Sequence, residues 1–194
     1  MDWLREALAA HQLLLAFLHG QAFFMLGLSI AFLARRSARL KLTHSLTPLA
    51  VFGFCEALVA WMPVWFAPAR ELVPWLAWTR LLLLGIDYAF LLLFALQTNA
   101  NAPRDSRRWR QWAIAGGLLG LWLLGLLLAR LLDVPAEHTW VGGELVARYG
   151  MALPGGLMGA WGLRRQTYRT IERERLLLVN PHLRVSGFAL GLFA

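Results

Sequence analysis

Long apolar runs, separated by short polar and arginine-rich segments, dominate the chain. Five runs lie at residues 9–34, 46–67, 72–97, 111–132 and 146–163, the last being the shortest. A helix that crosses a bilayer needs about 20 mostly apolar residues. A further apolar run begins near Leu183 and reaches Ala194. The pattern therefore predicts an all-α, polytopic transmembrane bundle with five full spans and the start of a sixth.

The loops between the runs are short, and no repeat or low-complexity linker divides the sequence. We therefore expect a single transmembrane domain over residues 1–194. The longest external loop is predicted at residues 133–143, and a basic amphipathic helix along the inner leaflet at residues 164–178. The run from Leu183 holds about 12 residues, too few to cross about 30 Å of hydrocarbon. We expect that the chain is the front part of a longer protein or that the sequence is truncated.

Composition supports the membrane assignment. Hydrophobic residues make up 59% of the chain and charged residues 15%, whereas soluble domains hold about 45–50% and about 25%. The net charge is +8, but the basic residues cluster between apolar runs rather than along one surface. This distribution is typical of membrane topology, so we expect a lipid bilayer as partner and no nucleic acid.

The basic residues also predict an orientation. Most lysines and arginines fall in the segments 35–44, 98–110 and 164–184, which lie on one side of the predicted spans. Only Arg5, Arg70, Arg130 and Arg148 fall on the other side. The positive-inside rule places the first set in the cytoplasm and the N-terminus outside. A multi-pass membrane protein is therefore expected.

Five polar side chains fall within the first three predicted spans. They are His19, Gln21, Glu56, Arg80 and Asp87. Ionisable groups at this depth are costly, so they indicate a site by default. The hypothesis is a polar intramembrane pocket for an unknown small ligand or a proton, in which Arg80 is bridged to Asp87 through neighbouring helices. The alternative is a set of interhelical hydrogen bonds that only hold the bundle together.

No cofactor is predicted. A haem or quinone site that uses His19 is the alternative, but His11, eight residues earlier, does not share a helix face with it. An outer metal site of His11, His138 and Glu137 is weaker still, and no metal is expected. The chain has one cysteine and no recognisable catalytic motif, so this part of the protein is not expected to be an enzyme.

Two small-xxx-small patterns predict helix contacts. They are Gly116 with Gly120 in the fourth span and Gly155 with Gly159 in the fifth. Pro154 precedes two glycines and predicts a kink in the fifth span. The kink is either static or a hinge used in signalling. A transporter fragment is the least favoured function, because only this one span is interrupted by proline and glycine.

Motifs in the first and second spans resemble a bacterial sensor module. The first span and the loop after it match the pattern G-x-x-F-F-x-x-G-L followed by R-R-x-S-x-L-x-L. The matching residues are Gly20, Phe23, Phe24, Gly27, Leu28, Arg35, Arg36, Ser37, Leu40 and Leu42. A second block runs from Phe52 to Trp61, where Ala60 stands in place of the usual acid and Glu56 lies one turn earlier. The segment LPGGLMGAWGL from Leu153 is similar to the fifth span of the same module.

The chain thus resembles the N-terminal multi-span sensor region, of the seven-helix type, of bacterial histidine kinases and diguanylate cyclases. The resemblance implies a sensory input module for signal transduction, as in a two-component system. It also implies a last helix that enters the cytoplasm, a downstream kinase or cyclase, and a homodimer formed through that output region. Signal transfer would then be a small helix shift.

Overall fold

The computed structural model describes residues 11–36, 43–66, 73–100 and 108–174. It contains the helices α1 (Gln12–Arg36), α2 (Thr43–Trp65), α3 (Val73–Asn99), α4 (Arg108–Leu131), α5 (Ala136–Ala147) and α6 (Leu153–Glu174). A π-helical turn, Arg148–Ala152, joins α5 to α6 without a loop. The described part of the chain contains no strand, which confirms the all-α prediction. The predicted helix start near Leu183 lies outside the described residues.

Four helices are long and apolar enough to cross a membrane. The spanning segments are Gln12–Arg35, Leu46–Trp65, Trp75–Asn99 and Trp109–Leu131. In α1 and α4, many large apolar side chains are exposed, Leu14 and Leu124 among them. A soluble monomer rarely leaves such extended apolar surfaces uncovered. The described residues therefore indicate a membrane protein with four candidate spans, while the fifth predicted span does not qualify by itself.

Helix α3 is the centre of the bundle. It packs against α2, α4, α5, the π turn and α6, and 67% of an 18-residue window within its spanning segment is buried. Trp122 of α4 ties three helices together, because its ring lies against Gly85 of α3 and its Nε1 donates to the Gly143 carbonyl of α5 at 2.9 Å. The core thus forms around α3, and groups in the middle of α3 lie in the interior.

A close glycine crossing joins α1 to α2. A Cβ atom added at Gly53 would lie 2.9 Å from the Cα of Gly27 and 3.0 Å from the Phe23 carbonyl oxygen. About two helical turns before Gly27, Gly20 faces the ring of Trp61. The Nε1 of Trp61 donates to the Phe17 carbonyl at 3.1 Å. Small residues let helix backbones approach in this way. The crossing sets the depth at which side chains of α1 meet those of α2.

The two small-residue patterns behave differently. Gly155 and Gly159 of α6 lie against Leu92 and Phe94 of α3, which confirms the predicted contact. Gly116 and Gly120 of α4 have open space around them, so the contact predicted there is not made within the described residues. The packed face of α4 instead carries Trp122.

The predicted external loop at residues 133–143 is wrong over most of its length. Helix α5 already begins at Ala136, and only a short turn separates it from α4. Asp133 has a positive φ of 53°, with its N–H bonded to the Arg130 carbonyl and the Val134 N–H to that of Ala129. This is a Schellman ending, in which an aspartate replaces the usual glycine. Glycines 142 and 143, which suggested a loop, lie within α5.

A π turn lies just before Pro154, where the sequence predicts a kink. A proline within a helix removes one backbone hydrogen bond and clashes with the preceding turn, and a π turn is one way to relieve both. The helix after this turn continues to Glu174, so the backbone of residues 164–174 is helical as predicted.

Candidate functional site

A histidine and a glutamate meet across the α1–α2 contact. Nε2 of His19 lies 3.2 Å from Oε1 of Glu56, and the His19 ring packs on Phe23 with centroids 4.8 Å apart. The His19 side chain is 45% exposed, whereas that of Glu56 is only 10% exposed. His19 is therefore the accessible member of the pair, and Glu56 is the interior one.

Asp87 lies on the inner side of Glu56. It occupies the midpoint of the third spanning segment and is completely buried. It interacts electrostatically with the Glu56 carboxyl group and with Cys55. Within the described residues, both oxygens of Asp87 and Oε2 of Glu56 are buried and receive no hydrogen bond from a donor group, while the two carboxyl groups lie within hydrogen-bonding reach of each other, a bond that needs a proton on one of them. The structure thus brings three of the five predicted site residues together and leaves three carboxyl oxygens unsatisfied.

The position of this carboxyl pair follows from simple features of the sequence. Glu56 is close to the middle of the segment Leu46–Trp65, at the same depth as Asp87. The pair is therefore near the middle of the candidate spans, about 15 Å from either side of a typical hydrocarbon core. An ionised carboxylate without donors is very costly there. The unsatisfied oxygens need a proton or a ligand that donates to them.

Arg80 does not join the carboxyl pair, which corrects the predicted bridge between Arg80 and Asp87. Its guanidinium lies 4.0 Å from Oε1 of Glu144 on α5. The same Oε1 atom accepts a hydrogen bond from Arg148 at 2.6 Å, in an i,i+4 pair. Arg80 is seven residues, about 10 Å, from Asp87 along α3. A guanidinium so placed reaches the neighbouring helix at its own level more readily than the middle of the bundle.

Gln21 also lies apart from the pair. Two residues turn about 200° around a helix, so Gln21 and His19 project from different sides of α1. Gln21 is half-buried and makes no hydrogen bond to Glu56 or Asp87 in the described part of the chain.

Arg148 is a polar-layer residue that sequence reasoning misses. The hydropathy pattern places it on the external side, because the fifth span is predicted to begin at residue 146. In the structure, Gly143 lies beside Leu81 of α3 and Gly155 beside Leu92. Arg148 is between those levels and therefore close to the depth of Asp87. The i,i+4 spacing of Glu144 and Arg148 is the signal in the sequence that favours a helix here.

Tyr88 of α3 is buried, and the charges of Glu56, Arg148, Asp87 and Glu144 all act on it. We refer to the polar side chains that α1, α2, α3, α5 and the π turn contribute to this part of the bundle as the polar layer. Its members are His19, Glu56, Asp87, Tyr88, Arg80, Glu144 and Arg148.

Within the described residues, no group of three or more histidine, cysteine, aspartate or glutamate side chains is arranged to hold a metal ion. His11 and His19 are eight residues apart, a rise of about 12 Å and a rotation of about 80°, so they do not share a helix face. His138 is exposed on α5.

Comparison with known proteins adds no identification. No protein-family model, curated protein or solved structure matches the chain.

Proposed function

We propose that the chain is the membrane-embedded sensory input module of a bacterial signal-transduction protein. Its site is the carboxyl pair of Glu56 and Asp87 with His19, which detects a ligand or a proton. The observation that supports this proposal is the set of three unsatisfied carboxyl oxygens at mid-membrane depth. A purely structural network would satisfy its members with hydrogen bonds, because each unsatisfied buried group costs stability.

The proposal includes a fifth crossing formed by α5, the π turn and α6. This helix runs beside α3 from the level of Leu81 to that of Thr98, where Gly162 contacts it. Glu144 and Arg148 lower its hydropathy, but the two side chains pair with each other. With five crossings, the basic segments fall on one side, and we place the N-terminus outside a bacterial inner membrane.

The continuous fifth helix supports a path for the signal. Arg148 is a member of the polar layer and also the first residue of the π turn. The helix then continues to Glu174. A π turn that reverts to α-helix removes one residue from the turn and rotates the rest of the helix by about 100°. A change of charge in the polar layer would thus reach a downstream kinase or cyclase as a helix shift.

The test uses the native polypeptide that contains this sequence, reconstituted in liposomes. Its output, autophosphorylation or cyclic dinucleotide synthesis, is measured over a range of pH and candidate ligands. We expect the Glu56→Gln and Asp87→Asn variants to insert into the membrane normally. Both should lose most of the stimulus-dependent change in output. Glu137→Gln, which removes an exposed acid from α5, is the matched control. A response in both site variants equal to that of the wild type would contradict the proposal.

The same preparation separates this function from a redox protein. An absorbance spectrum and native mass spectrometry would detect haem or a bound quinone, and either group would overturn the sensor proposal in favour of an intramembrane redox protein.

A further inference from the structure

The three unsatisfied oxygens limit what can bind between Glu56 and Asp87. None of them has accessible surface, and Asp87 as a whole is 0% exposed. A molecule of even a few atoms would have to part α2 from α3 to reach them. A proton needs no space of its own, and one proton converts a repelling pair of carboxylates into a hydrogen-bonded acid and carboxylate.

The charges of the whole polar layer point the same way. Besides the pair itself, the titratable groups of the polar layer come from α1, α2, α3, α5 and the π turn. They are His19 of α1, Cys55 of α2, Arg80 and Tyr88 of α3, Glu144 of α5 and Arg148 of the π turn. The part of α4 that packs on this region contributes Trp122 and Leu126, which carry no charge.

Glu144 interacts with both Arg148 and Arg80, so these two guanidinium groups have a carboxylate at their own level. The groups whose charges act on Asp87 are Glu56 and Cys55, both of them acidic. Full ionisation of Glu56 and Asp87 would therefore place two adjacent negative charges near the middle of the candidate spans, and a single proton on the pair removes their mutual repulsion.

His19 provides the route for that proton. It is the accessible partner of Glu56, and its Nε2 lies 3.2 Å from Oε1. A protonated His19 can pass its Nε2 proton to Glu56, which leaves a neutral imidazole and a carboxylic acid. Asp87 has no accessible surface, so its exchange with solvent runs through Glu56.

We infer that Glu56 and Asp87 form a proton-binding site at mid-membrane depth that is loaded through His19. The inference deepens the proposed function, on which it rests, by naming a proton as what the site detects. It assigns His19 the role of a positioning and transfer residue rather than that of a ligand contact.

Infrared difference spectroscopy tests the site without any signalling readout. The protein in lipid vesicles is compared at neutral and alkaline pH, in H₂O and D₂O, for the carbonyl stretch of a protonated carboxyl group. A carboxylate lacks this band, and deuterium shifts it. The variants are Glu56→Gln, Asp87→Asn and His19→Phe, with Glu137→Gln as the control.

We expect the wild type to show the band at neutral pH. One of the two carboxyl variants loses it, the other shifts it, His19→Phe slows its exchange with D₂O, and Glu137→Gln leaves it unchanged. A wild type without the band, or a band that neither carboxyl variant alters, would overturn the inference. A band that behaves as expected in a protein whose output ignores pH would keep the proton site and would contradict the sensory function instead.

Discussion

Two groups of charged side chains in the bundle differ in whether their charges are compensated by a partner of opposite sign. Glu144 is 32% exposed and accepts a 2.6 Å hydrogen bond from Arg148, with Arg80 4.0 Å away. Asp87 is wholly buried beside another acid, and neither of its oxygens receives a hydrogen bond from a donor group within the described residues. The first group is an ion-pair network, whereas the second is unstable as a pair of carboxylates.

This difference separates a structural role from a functional one. An ion-pair network such as that of Glu144 stabilises two helices and responds weakly to its surroundings. A buried carboxyl pair changes its charge when it gains or loses one proton, and its neighbours must then adjust. Substitutions that disturb one group at a time can therefore separate the two roles.

The largest effect on the free energy of unfolding is expected from Gly53→Leu. This substitution disturbs the α1–α2 crossing that holds His19 against Glu56. The added side chain meets the backbone of Gly27, which cannot move aside without separating α1 from α2. We expect a loss of about 2–3 kcal/mol in the free energy of unfolding, measured in detergent by SDS titration. Gly117→Leu places the same side chain in open space on α4 and should cost little. Equal losses in the two variants would mean that the α1–α2 crossing is not closely packed.

The next largest effect is expected from Glu144→Gln, which breaks the ion-pair network. Two guanidinium groups then lose their carboxylate at membrane depth. Because all three side chains are partly exposed, the expected loss is roughly 1–2 kcal/mol. Glu137→Gln on the same helix should cost less. An unchanged stability would show that the arginines are already satisfied by lipid headgroups or water.

A smaller loss is expected from His19→Leu. The substitution removes the hydrogen bond to Glu56 but keeps apolar contact with Phe23, and His19 is nearly half exposed. We expect a loss of about 0.5–1 kcal/mol at neutral pH in the same titration. A loss as large as that of Gly53→Leu would mean that His19 carries a buried charge on which Glu56 depends.

The smallest effect is expected from Asp87→Asn. The amide is nearly isosteric, carries no charge and can donate an N–H to Glu56, so the unfolding free energy should change by less than about 0.5 kcal/mol. This contrasts with the loss on removing the charge of Glu144. A loss equal to that of Glu144→Gln would mean that Asp87 is an ionised and partnered carboxylate.

Much of the fold is predictable from the sequence. The first four apolar runs are long enough to cross the hydrocarbon core of a bilayer, and they match α1 to α4 within a few residues. The site is predictable in part, since the depths of Glu56 and Asp87 follow from the positions of the span ends. The pairing of Arg80 is not predictable, because it depends on which helix lies beside α3 at that level. Arg148 is missed because a charged pair within a helix lowers hydropathy as a loop does.

The most direct test of the central claim, that Glu56 and Asp87 act as one site, is a double-mutant cycle on the unfolding free energy. Glu56→Met alone leaves Asp87 without its partner, and Asp87→Leu alone leaves Glu56 without a shared proton. The double variant removes both polar groups, and apolar replacement of a buried pair is often neutral or stabilising. We predict that each single variant is destabilised and that the double variant returns close to the wild type, a coupling of about 1–3 kcal/mol. Losses that simply add in the double variant would contradict the account.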